Sequence, residues 1–144
     1  MVPYALRMRY LGVDYGSVRV GLALSDEAGT MGFPHAVVAN TPRLAGEVCA
    51  LIEKEKVDAV VIGESRDLAG NENPIAAGAK AFGEAVAHAS LKPVFYEPEM
   101  FTSAEARRSP EKPAKTRAAP RRAPVDASAA ALILTSYISR THHE

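Results

Sequence analysis

Two short apolar runs joined by a turn set the pattern of the chain. Leu11-Gly12-Val13 ends on Asp14, and after Tyr15-Gly16-Ser17 a second, alternating run extends from Val18 to Leu24. Runs of this length bounded by turn residues predict strands, and a linker this short holding Gly16 predicts a β-hairpin. A third strand is predicted over 33–39, with Pro34 at its start. Thr41-Pro42 then supplies a helix start, an N-cap followed by proline at the first helical position. Leu44, Val48, Leu51 and Ile52 form the apolar stripe that this helix would lay on a sheet. The continuous apolar run over 58–63 predicts a strand buried on both faces.

The segment 64–72 is polar and holds Gly70, which predicts a loop, and Asn73-Pro74 opens a second helix. Its inner face is predicted to carry Ile75, Ala79, Phe82 and Val86. Gly78 and Gly83 each weaken that helix by about 1 kcal/mol relative to alanine, so packing has to hold it. A short strand is predicted over 93–96. Residues 102–108 begin helically, with Glu105 three positions after Thr102 as in a capping box. Pro110, Pro113, Pro120 and Pro124 then preclude regular structure and predict a flexible loop over about 109–124. An alanine-rich helix follows over 126–140, with Ala130, Ile133 and Tyr137 on one face and Leu132 beside them. Three strands in succession followed by helix–strand alternation predict an α/β fold, a mixed sheet with helices on its faces.

At 144 residues the chain fits one domain, spanning 1–144. It is 47% apolar and 24% charged, as globular proteins are. No apolar run approaches the roughly 18 residues of a membrane span, and no signal peptide is evident, so no membrane partner is expected. Cys49 has no second cysteine to pair with. It is expected to be a small buried side chain in a reducing, cytoplasmic setting. The zero net charge hides an asymmetry. Between 107 and 124 lie Arg107, Arg108, Lys112, Lys115, Arg117, Arg121 and Arg122 against the single acid Glu111. That segment carries +6 and the rest of the chain −6. An acidic body repels a polyanion, so these seven cations are the candidate nucleic-acid contacts. A solvated linker is the plainer alternative.

Three acids fall at element ends: Asp14 after the first strand, Glu99 after the last, and Asp126 opening the final helix. Each has an ordinary explanation. Asp14 can accept turn hydrogen bonds, Glu99 can be a solvated loop acid, and Asp126 can be an N-cap. Glu97 competes with Glu99, because residues two apart in a strand point the same way. Together, however, the acids suggest carboxylate–metal chemistry. Like charges disfavour mutual ionisation unless a cation joins them, and Mg²⁺ or Mn²⁺ prefers oxygen ligands. No HExxH, paired CxxC or lysine-bearing phosphate loop is present.

The stretches LGVDYGSVRVGLALSD, IGESRDLAGNENP, EPEMFTSAEAR and VDASAAALILTSY together resemble the YqgF family, the RuvX-type Holliday-junction resolvases. The resemblance covers about 10–137; its first and last motifs are specific and the middle two weaker. It implies a ribonuclease H-like fold with a mixed five-stranded sheet and helices on both faces. It also implies a metal-dependent nuclease acting in maturation of the 5′ end of precursor small-subunit (16S) rRNA. The family's catalytic, metal-binding acids fall on Asp14, Glu99 and Asp126, with Mg²⁺ or Mn²⁺ as the implied cofactor. The family's Asp-Glu-Arg-Leu-Ser motif reads here Pro98-Glu99-Met100-Phe101-Thr102, losing its first acid and its arginine. The usual Gly-Leu-Pro is Gly63-Glu64-Ser65.

The leading expectation is therefore a nuclease for structured nucleic acid, either precursor rRNA or branched DNA. The alternatives are a resolvase of DNA junctions and a nucleic-acid-binding module weakened in catalysis. A symmetric resolvase would be a homodimer, whereas an rRNA-trimming enzyme can be a monomer. Asp14-Tyr15-Gly16 also resembles the phosphate loop of actin-like ATPases, but those need a second such domain that 144 residues do not provide.

Overall fold

The computed structural model describes residues 8–64, 74–98 and 127–141. Along them run β1 (Tyr10–Tyr15), β2 (Arg19–Ser25), β3 (Gly32–Ala39), α1 (Leu44–Glu55), β4 (Ala59–Glu64), α2 (Pro74–Ser90), β5 (Val94–Pro98) and α3 (Ala127–Thr141). The sheet order is β3-β2-β1-β4-β5. The first three strands form an antiparallel meander, while β4 pairs parallel to β1 and β5 parallel to β4. The mixed five-stranded sheet is as expected.

Period-two alternation divides the side chains between two cores. Leu11, Val13, Val20, Leu22, Val60 and Ile62 pack with Leu44, Val48 and Ile52 of α1 and Phe82 and Val86 of α2. Tyr10, Ala23, Ala59 and Val61 pack on the other face against Ala130, Ile133, Leu134 and Ile138 of α3. Helices therefore cover both faces. On the α3 side, contact is close because the sheet presents glycines. A Cβ at Gly12 would lie 2.9 Å from both the Ala130 carbonyl oxygen and the Leu134 Cβ, and one at Gly32 would lie 3.0 Å from the Leu134 Cβ. Gly12→Val should therefore cost about 1–3 kcal/mol or more in a urea melt, because the helix has to lift off the sheet.

Several expectations change in detail. Helix α1 begins at Leu44 rather than beside Thr41: the Leu44 N–H donates to the Thr41 carbonyl at 2.9 Å and the Arg43 N–H to Thr41 Oγ1 at 3.1 Å. Thr41 thus caps a turn that precedes the helix. Strand β4 takes in Glu64, and β5 runs on through Glu97 to Pro98 because both continue their parallel pairing. On α2, Ala76 is buried and Ile75 only half-buried. Leu132, expected beside the apolar face of its helix, is 61% exposed. The glycines of α2 have a packing reason, since Tyr15 lies against Gly78 and the Tyr96 hydroxyl occupies the place a Gly83 side chain would need. Cys49 is half-buried, and burial pushes its thiol pKa up. The predicted helical start at 102–108 and the loop at 109–124 lie outside the described residues. No helix among the described residues is long and apolar enough to cross a membrane.

The β2–β3 connection turns on Asp26. Its carboxylate accepts hydrogen bonds from the Thr30 N–H at 2.7 Å and from the Thr30 hydroxyl, and Gly29 supplies a positive φ of 72°. Partial burial raises the Asp26 pKa, but the hydrogen bonds from Thr30 and Met31 outweigh it, and the net shift is downward. A depressed folded-state pKa contributes stability that is present above the ordinary Asp value, near about 3.9, and is lost as pH falls through the folded value. Asp26→Asn should remove this part of the acid-denaturation profile while leaving the neutral-pH unfolding cooperative.

Candidate functional site at the carboxyl end of β1

Alternation along β1 puts Tyr10, Gly12 and Asp14 on the face covered by α3. Asp14 is the last inward residue of the strand and is only 4% exposed. It stands directly opposite Gly21 of β2, and Gly21 opposite Val37 of β3. On its other side the β1–β4 pairing runs to Val13–Ile62, so one step further Asp14 comes level with Gly63. Gly63 in turn pairs with Glu97 of β5. A single row thus crosses the sheet: Val37, Gly21, Asp14, Gly63, Glu97. The two acids are separated by two interstrand spacings, about 10 Å between Cα atoms. The positions beside Asp14 in the row, and Gly12 before it on its own strand, are glycines.

A carboxylate this buried is costly to ionise unless donors or a cation meet it. Glu97, also 4% exposed, shows how this chain solves the problem at one end of the row. It accepts a hydrogen bond from Ser136 Oγ at 2.9 Å and is ion-paired with Arg140 Nη2. The Tyr137 ring between them stacks on Phe95 with centroids 5.7 Å apart, and the Arg140 guanidinium lies 5.7 Å from the Tyr137 ring. Removing one partner of a buried pair strands the other charge. Arg140→Ala should therefore cost about 3 kcal/mol in chemical denaturation, near the lower end for such pairs because the arginine is half exposed.

Helix α3 connects this acid to the rest of the site. Ala130 lies against Gly12 and Tyr137 against Tyr10, with ring centroids 5.9 Å apart. The helix therefore runs back along β1, and its amino end is the one nearest Asp14. Tyr15, next in sequence, points to the opposite face and packs on Phe82, so it does not belong to the site.

Of the residues that the sequence marked out, Asp14 is placed at the end of β1. Glu99, Asp126 and the cations Arg107, Arg108, Lys112, Lys115, Arg117, Arg121 and Arg122 lie outside the described residues. No group of three metal-capable side chains occurs among the described residues. Sequence alone did not single out Arg19, which begins β2 two residues from Gly21 on the Asp14 face. The hairpin register was the signal that could have found it.

The match to a model of the RuvX family, described as Holliday junction resolvase, runs over residues 8–140. The chain belongs to the RuvX family. It is 35% identical over 134 residues to a protein of Nitratidesulfovibrio vulgaris (strain DP4) named "Putative pre-16S rRNA nuclease", covering 92% of this chain and 94% of that one. A protein of the same name from Anaeromyxobacter sp. (strain Fw109-5) is 36% identical over 138 residues, covering 94% and 99%. Among solved structures, Thermus thermophilus RuvC in complex with a Holliday junction substrate superposes with a TM-score of 0.59 at 21% identity, covering 94% of this chain and 96% of that one. The fowlpox virus Holliday junction resolvase gives 0.51 at 14% identity, over 92% and 99%. The fold of this RuvX-family chain is thus that of the ribonuclease H-like resolvases.

Proposed function

We propose that this chain is a divalent-metal-dependent nuclease that processes the 5′ end of precursor 16S rRNA, with Asp14, Glu99 and Asp126 as its metal-holding acids. The observation that carries the reading is the buried Asp14 carboxylate at the end of β1, set among glycines on the face that α3 covers. The family membership and the relatives' name supply the reaction class. The donor set fits the cofactor: three carboxylates offer only hard oxygen ligands, which suit Mg²⁺ or Mn²⁺ and not a thiolate-seeking metal. A bound ion of this kind stabilises charge developing on phosphate oxygens. The chain's own part is to hold the carboxylates ionised and fixed, to exclude bulk water at Asp14, and to position the strand.

Glu99 follows Glu97 by two residues, and Asp126 immediately precedes α3, whose amino end lies nearest Asp14. These two sequence positions support the trio. A second reading, resolution of four-way DNA junctions, is favoured by the description of the family model. It would require a homodimer, which sedimentation of the protein with a junction would reveal. The loss of the motif arginine at Met100 and the Glu64-Ser65 pair favour a third reading, a binding module with weak turnover. Cleavage of a precursor rRNA fragment in Mg²⁺ or Mn²⁺, abolished by chelation, tests the first reading against both.

A further inference from the structure

Arg19 occupies a position in the sheet that the acids do not explain. It pairs with Ala39 at the outer end of β2 and stands two residues from Gly21, the residue directly opposite Asp14. Residues opposite one another in an antiparallel pair share a face, and so do residues two apart on a strand. Arg19 therefore lies on the Asp14 face, one step further toward the end of the sheet. The Cα atoms of the two residues are separated by about 8 Å, from the strand rise and the cross-strand spacing. With Gly21 between them, no side chain intervenes on β2.

The surroundings of Arg19 are open and held in place. Ser17, Val18 and Arg19 are all exposed, and Val18, at 70%, presents an apolar side chain at the hairpin tip. Asn40 braces the tip, donating from Nδ2 to the Gly16 carbonyl at 2.7 Å and from its backbone N–H to the Val18 carbonyl at 2.9 Å. Among the described residues no hydrogen bond or ion pair engages the Arg19 guanidinium. Arg9, in contrast, is spent on structure at the opposite end of β1, donating to the Ser25 and Glu55 carbonyls.

From this geometry we infer that Arg19 is a substrate-binding residue, contacting a backbone phosphate of the nucleic-acid strand next to the one that Asp14 faces. A guanidinium is suited to bidentate contact with phosphate, and a fixed cation beside an acidic centre sets the register of a polyanion without reading its bases. The inference rests on the nuclease reading above and adds a residue to it that lies outside the basic loop.

The test uses Arg19→Gln and Arg19→Lys in the full chain, with a precursor rRNA fragment carrying the 5′ extension and a four-way DNA junction as probes. Binding is measured in the Asp14→Asn background and cleavage in the otherwise unchanged protein. Arg19→Gln should lower kcat/KM and affinity about 10- to 100-fold, as expected for one charge-assisted contact. It should also reduce the log–log salt slope by about 0.7 on single strands or 0.9 on duplex, with an unchanged melting temperature. Arg19→Lys should restore the slope and most of the affinity. Binding and cleavage indifferent to Arg19→Gln would overturn this role and leave the nuclease reading standing. Absence of any nucleic-acid binding by the Asp14→Asn protein would overturn both.

Discussion

Asp14→Asn should reduce cleavage by roughly a thousandfold or more while nucleic-acid affinity persists. The substitution preserves the shape of the side chain and removes the charge that would hold a divalent ion at the end of β1. Metal stabilisation of a phosphoryl transition state amounts to several kcal/mol, and about 4 kcal/mol corresponds to a thousandfold in rate. Because Asp14 is buried, a purely structural carboxylate would give the opposite pattern: a neutral replacement would disturb stability and leave turnover in proportion to folded protein. Turnover per folded molecule and melting temperature, measured on the same preparations, separate the two. Loss of rate at unchanged melting temperature is the expected result.

Replacing Lys115, Arg117, Arg121 and Arg122 together with serine should sharply reduce the salt dependence of binding. Four phosphate contacts give a slope of about −2.8 on single strands and −3.6 on duplex. On a fourfold rise in salt, from about 50 to 200 mM, these four contacts alone should then account for a roughly 50- to 150-fold loss of affinity. The charge distribution motivates this expectation, since residues 107–124 carry +6 and the remainder −6. That segment also lies in sequence between Glu99 and Asp126, two of the proposed metal-holding acids. An affinity and slope matching the parent protein would make the segment a linker and leave Arg19 as the remaining candidate for phosphate contact.

The hairpin and its terminal acid were legible in the sequence because their signals are local. Period-two alternation from Val18 to Leu24 and a glycine in a short turn fix the register, and with it the pairing of Asp14 with Gly21. The row that continues from Asp14 through Gly63 to Glu97 was not legible. Parallel register between β1, β4 and β5 is set by how α1 and α2 pack, not by any turn. The same reason hid the length of β5: Glu97-Pro98 resembles a loop until pairing with Gly63 and Glu64 draws it into the sheet. Glu97 looked exchangeable with Glu99 by spacing alone. Burial and the partners Ser136 and Arg140, some 40 residues away in sequence, give it a structural place of its own. Leu132 followed the apolar pattern of its helix yet faces outward, because α3 turns its Ala130–Leu134–Ile138 stripe to the sheet.

The central proposal is that Asp14, Glu99 and Asp126 support metal-dependent hydrolysis of precursor 16S rRNA. The most direct measurement incubates the purified protein with a precursor rRNA fragment, and in parallel with a four-way DNA junction, in Mg²⁺, in Mn²⁺ and in EDTA. The expected result is cleavage within the 5′ extension of the rRNA in either metal, none in EDTA, and none by Asp14→Asn. Binding without cleavage of either substrate in both metals, or cleavage that EDTA and Asp14→Asn leave intact, would contradict it.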